Sequence, residues 1–102
     1  MIINDEVRTF VKAPLPLVKP STRKDKRFMV EINGKTIHFG AKNGSTYLEH
    51  KDKVKRENYL KRHRVNEDWT KINPASLSRW ILWGDYTNLN DNIADYKKRF
   101  NL

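Results

Sequence analysis

Three histidines, His38, His50 and His63, and the carboxylates are the side chains of this 102-residue sequence suited to moving protons or holding a metal ion. No two of the histidines are spaced to share a helix face as paired ligands, and no cysteine is present to complete a zinc set. A hydrogen-bonded packing role is the ordinary fate of His38 on a strand and His63 on the inner face of a helix. Glu67-Asp68 directly precedes Trp69, and Asp91 lies near Asp95. Both pairs read as helix-end or solvent groups, and neither adjoins a nucleophile. In His50-Lys51-Asp52 the Asp follows the Lys at once, which marks a helix start and not an H-x-K phosphotransfer box. Gly40 and Gly44 lack the Gly-Lys-Ser/Thr that a phosphate-cradling loop requires. The sequence predicts no catalytic residue, no metal site and no cofactor.

What the chain does concentrate is positive charge. Its net charge is +9, and all of it comes from two segments. Lys19 to Arg27 carries five basic residues against Asp25, and Lys51 to Arg64 carries seven against Asp52 and Glu57. Such clustering creates a local potential that attracts polyanions or an acidic protein face. A charge run on a helix is ordinarily a solvated face. A stripe of Lys and Arg also neutralises phosphates without reading bases. The expected polyanion or partner contacts are Arg23, Lys24, Lys26, Arg27, Lys51, Lys55, Arg62 and Arg64. No zinc finger, recognition-helix or ribonucleoprotein signature supports base readout. In Trp80-Ile81-Leu82-Trp83, helical spacing makes the two indoles core residues before a base-stacking platform.

These groups need elements to hold them. Residues 1–27 read as an extended, Pro-containing basic arm, because Pro14, Pro16 and Pro20 forbid a helix and favour polyproline II or a strand edge. Ile2, Ile3, Val7, Phe10, Val11, Leu15 and Leu17 are too apolar for a pure linker, and they are the expected arm contacts along a neighbouring subunit. Residues 28–102 form the second unit, a small hairpin-plus-helices domain. Phe28, Val30 and Ile32 alternate with Met29 and Glu31, and Asn33-Gly34 supplies a type I′ turn before Thr36 to Phe39. Gly40 and Gly44 bracket a loop. Asp52 caps a helix to Arg64, in which Tyr59, His63, Arg56 and Leu60 share one face and Lys51, Lys55 and Arg62 another. Arg56, facing inward, needs a carboxylate partner. Asn73-Pro74 opens a second helix that ends at Gly84, and a third runs from about Asn90 to Phe100 with Leu89, Ile93, Tyr96 and Phe100 on one face. The predicted class is α+β: an extended arm, a β-hairpin, then about three short helices.

Composition sets outer limits. Hydrophobic residues are 37% of the chain, so the core is small and its eleven per cent of aromatics must supply much of it. The absence of cysteine excludes disulfides and thiolate chemistry and suits a reducing compartment. No apolar run reaches membrane-spanning length. Met1 to Phe10 carries Asp5 and Glu6 and lacks the apolar stretch of a secretory signal. The expectation is a protein inside cells, or inside a particle assembled in them.

Ser21-Thr22-Arg23-Lys24-Asp25-Lys26-Arg27-Phe28, Gly34-Lys35-Thr36-Ile37-His38-Phe39-Gly40, His50-Lys51-Asp52 and Tyr59-Leu60-Lys61-Arg62-His63 follow in order. Asn66-Glu67-Asp68-Trp69, Leu77 to Trp83 and Asp95 to Phe100 come after them. From about Ser21 to Leu102 this series resembles a family of small, basic, uncharacterised proteins encoded by large, nucleocytoplasmic-type DNA viruses. Before His-Lys-Asp, Gly44 to Glu49 departs from that family's Gly-x-Ser-Asp-Tyr/Phe-Thr step, and the arm is longer. The resemblance implies a viral protein and transfers no catalytic residue. The expectation is a non-enzymatic structural component of a virus particle, a minor capsid or internal virion protein, found in the virion and in host cytoplasm during assembly. Its partners would be other virion or capsid proteins and the DNA or RNA phosphate backbone. The alternative is a sequence-independent nucleic-acid-binding protein.

Overall fold

The computed structural model describes residues 18–102. The expected arm contacts Ile2, Ile3, Val7, Phe10, Val11, Leu15 and Leu17 lie outside them. The fold is α+β: a three-stranded antiparallel sheet followed by helices. Strands β2 (Lys26–Ile32) and β3 (Lys35–Ala41) form the hairpin, in register from Lys26 opposite Ala41 to Ile32 opposite Lys35. Asn33 and Gly34 both have positive φ, 52° and 80°, as the type I′ turn demands. The alternation works as read: Val30, Ile32 and Phe39 are buried, while Glu31 is exposed.

Strand β1 (Lys19–Pro20) adds to the outer side of β2, with Lys19 opposite Met29 and Pro20 opposite Phe28. The sheet therefore begins inside the segment assigned to the arm, so residue 27 is no boundary between arm and domain. The link from Ser21 to Asp25 is a compact turn. Ser21 donates its amide to the Arg27 carbonyl, and its hydroxyl lies 2.7 Å from Nδ1 of His38.

Four α-helices follow: α1 (Tyr47–His50), α2 (Lys53–Arg64), α3 (Pro74–Leu77) and α4 (Leu89–Phe100). Helix α1 was not foreseen. Thr46 opens it, and Glu49 folds back so that Oε1 accepts from the Thr46 amide at 2.8 Å, the reciprocal arrangement of a capping box. Asp52 caps α2, accepting from the amides of Val54 and Lys55. Asn73 caps α3 with Pro74 at its first position. Helix α3 runs directly into a π-helical turn, Ser78–Leu82, closed by the Trp83 amide on the Ser78 carbonyl.

One face of the sheet is covered by α3, the π turn and α4. Val30, Ile32 and Phe39 meet Leu77, Ile81, Leu82 and Tyr96 there, with Phe28, Ile93 and Phe100 packed around them. Two polar residues lie fully inside. Ser76 places its hydroxyl 2.8 Å from that of Tyr96, joining α3 to α4. Asn92 donates to the carbonyls of Ile81 and Tyr86 and accepts from the Tyr86 amide, which fixes the turn after the π segment. Gly84 sits against it so closely that a Cβ would come within 2.7 Å of the Asn92 side-chain oxygen. Among the described residues, no helix is long and apolar enough to cross a membrane.

Candidate polyanion-binding groove

Helix α2 stands beside the sheet's end and is held there by aromatic stacking. Tyr59, its buried residue, lies parallel to Trp83, with centroids 4.2 Å apart. His63 stacks on the same tyrosine at 4.0 Å, and His50 meets Trp83 at 5.2 Å. Arg56 locks the helix from the side. Its Nε donates to the carbonyls of Trp83 and Gly84, and its guanidinium contacts Asp85 at 2.8 Å. This is the carboxylate partner that an inward-facing arginine required. Burial pushes the Tyr59 hydroxyl far up from its ordinary value, and the nearby Glu67 carboxylate adds to the shift.

A groove of about 570 Å³ opens between α2, the end of the hairpin, the loop before α1 and the start of α3. Lys26 lines it from the sheet, Arg62 and His63 from α2, Ser45 from the loop, and Ser78 from the π turn. One member of each basic segment, far apart in sequence, thus reaches a single cleft. Neither Lys26 nor Arg62 makes an ion pair among the described residues, and the hydroxyls of Ser45 and Ser78 have no partner there. Glu67 also lines the groove, but its carboxylate is occupied: Oε2 lies 2.5 Å from Nδ1 of His63, and Oε1 accepts from Nε1 of Trp69 at 2.8 Å. The sequence places Glu67 among helix-end or solvent groups; in the structure it lies three residues past the end of α2 and turns back to His63, four positions before it.

The eight expected contact residues divide in two. Lys24, Lys26, Lys51, Lys55, Arg62 and Arg64 have no ion pair among the described residues, and all but Lys26 are exposed. Arg23 is exposed but neutralised by Asp25, with Nε and Nη2 donating to its two oxygens. Arg27 is turned inward with 23% of its side chain exposed, donating to the Gly44 carbonyl and to Glu49. It is a clamp on the loop that carries Ser45. The clamp uses the two terminal nitrogens of the guanidinium, while Nε is buried without a hydrogen-bond partner among the described residues.

The remaining histidines are held internally. His50 accepts from the Asp52 amide through Nδ1 at 2.9 Å, which leaves its proton on Nε2, buried and without a hydrogen-bond partner among the described residues. Among the described residues no three His, Asp or Glu side chains converge to hold a metal ion. Trp80 is half-buried with the guanidinium carbons of Arg99 and Arg79 at 3.6 and 3.9 Å from its centroid. The faces of Tyr59 are taken by Trp83 and His63, so this ring offers no open face to a base.

Residues 17–63 match the model of a family of unknown function (DUF5754), a span that takes in the sheet, α1 and all but the last residue of α2. No curated protein and no solved structure matches the chain. Lys26, Ser45, Arg62 and His63 lie within the matched span, whereas Glu67, Ser78 and Trp83 come from the part that follows it.

Proposed function

We propose that this protein is a non-enzymatic component of a large DNA virus particle that binds nucleic acid through its phosphate backbone without reading sequence. The observation that carries the binding is the set of six uncompensated cations, five of them exposed and the sixth, Lys26, in the same groove as Arg62. Charges already answered by carboxylates contribute little to binding a polyanion. Uncompensated ones release condensed counterions when they meet phosphates. The placement in a virus particle rests on the resemblance of Ser21 to Leu102 to the viral family.

The test is fluorescence anisotropy of the full chain with a labelled duplex of about 30 base pairs at several salt concentrations. A log–log slope of about −4 or steeper means that several phosphates are engaged together. Substituting Ala for Lys51, Lys55 and Arg62 at once should flatten that slope by roughly two to three. No binding at physiological salt would overturn the reading and assign the positive face to an acidic protein partner.

A further inference from the structure

The unengaged cations and hydroxyls that line the groove can all donate. Lys26 and Arg62 bring cations, Ser45 and Ser78 bring unengaged hydroxyls, and the carboxylate of Glu67 already accepts from Trp69 and pairs with His63. Four such donors from the sheet, a loop, α2 and the π turn suit an anion with several oxygens inside the cleft. A phosphate is such a ligand, and Arg in particular can meet two of its oxygens together. The cleft's volume of about 570 Å³ is that of a small-molecule site. A duplex carries its phosphates on a broad convex surface and can only lie across the mouth. A single strand can lower one nucleotide unit into it.

We propose that the groove is a subsite for one phosphate-bearing nucleotide unit of a single strand, so that the protein prefers single-stranded to duplex nucleic acid. This rests on the backbone-binding reading and names the form of nucleic acid it takes. Lys26 and Arg62 hold the phosphate, and Ser45 and Ser78 donate to its remaining oxygens or to the sugar. Because the Tyr59 ring is covered on both faces, the unit is held by its phosphate and sugar, and the preference is the same for different bases.

The experiment compares a labelled single strand of about 15 nucleotides with a duplex of the same length at equal salt, using the full chain. The single strand should bind about tenfold more tightly, whether its bases are thymines or adenines. Two variants fill the cleft without changing charge or adding a ring on which a base could stack: Ala75→Leu, on the α3 wall, and Ala41→Leu, at the exposed end of β3. Each should bring single-strand affinity down to the duplex level while duplex affinity and its salt slope stay unchanged. Equal affinity of the unmodified protein for both forms, or filled variants that keep the preference, would overturn the subsite and leave backbone binding standing. Loss of all binding in the unmodified protein would overturn both.

Discussion

The ring of Tyr59 lies parallel to that of Trp83, with 4.2 Å between centroids and 5° between planes. This contact sets the position of α2 against the rest of the molecule, because Tyr59 is the buried residue of that helix. It places Arg62 and His63 on the groove as well. The Tyr59 hydroxyl makes no hydrogen bond among the described residues, so its value lies in the ring.

Tyr59→Ala should therefore cost about 3–5 kcal/mol in urea unfolding at neutral pH, and Tyr59→Phe under about 1 kcal/mol. If both variants unfold like the unmodified protein, the stack does not anchor α2.

Asn92 holds three backbone groups at once, and Gly84 is pressed against it. Replacing Asn92 with Ala strands buried partners that water cannot reach, at about 2–4 kcal/mol. Gly84→Ala drives a methyl against the Trp80 carbonyl and into the Asn92 side chain. Only the second clash disappears with that side chain, so the double variant should lose somewhat less than the two single losses combined. Thermal unfolding of the three variants measures this, and strict additivity would mean that the contacts are independent.

Adjacent basic positions should separate by assay. Arg27→Ala releases the loop that carries Ser45 and should lower stability by about 1–3 kcal/mol. Lys55→Ala, exposed and unpaired, should leave stability within about 0.5 kcal/mol and reduce the salt slope of nucleic-acid binding by about one. Chemical unfolding beside anisotropy distinguishes them. A large stability loss from Lys55→Ala would contradict the division of roles.

Acid should act through the cap of α2. The amide of Lys55, and then that of Val54, hold the Asp52 carboxyl below its ordinary value of 3.8. A carboxylate with a depressed folded value stabilises the protein above its unfolded value, and that contribution fades as pH falls below about 3.8 through the folded value. Asp52→Asn keeps a capping oxygen but cannot titrate. Its stability should change less than that of the unmodified protein between about pH 4 and pH 2, as followed by circular dichroism. Identical acid profiles would remove Asp52 from the acid response.

Much of the scaffold was legible because local chemistry dictated it. Asn33-Gly34 permits few turns, Asp52 and Asn73-Pro74 are helix starts on steric and hydrogen-bonding grounds, and the strand alternation matches its burial. Helix α1 was missed although Thr46-Tyr47-Leu48-Glu49 carries a capping box, because a helix of four residues is too short to show an apolar periodicity. Strand β1 was half legible: the prolines allowed either polyproline II or a strand edge, and a two-residue edge containing Pro20 has no periodicity to decide between them. The groove was only half legible. Lys26 and Arg62 stood out by charge, but their meeting depends on long-range packing through Tyr59 and Trp83. Lone serines at positions 45 and 78 leave no pattern at all. Arg27 looks the same as Lys26 in sequence, and only the carbonyl of Gly44 and the carboxylate of Glu49 nearby give it a different task.

The turn that closes the hairpin also sets how the protein ages. Asn33 is exposed, and the following Gly34 has open space where a Cβ would be, so little shields its amide nitrogen from the asparagine side chain. Attack of that nitrogen on the side-chain carbonyl expels ammonia and forms a succinimide, which opens mainly to isoaspartate. The product adds a methylene to the main chain and a negative charge between Ile32 and Lys35, the pair that starts the ladder. Stored protein should therefore accumulate a more acidic form of unchanged length whose hairpin no longer closes in register.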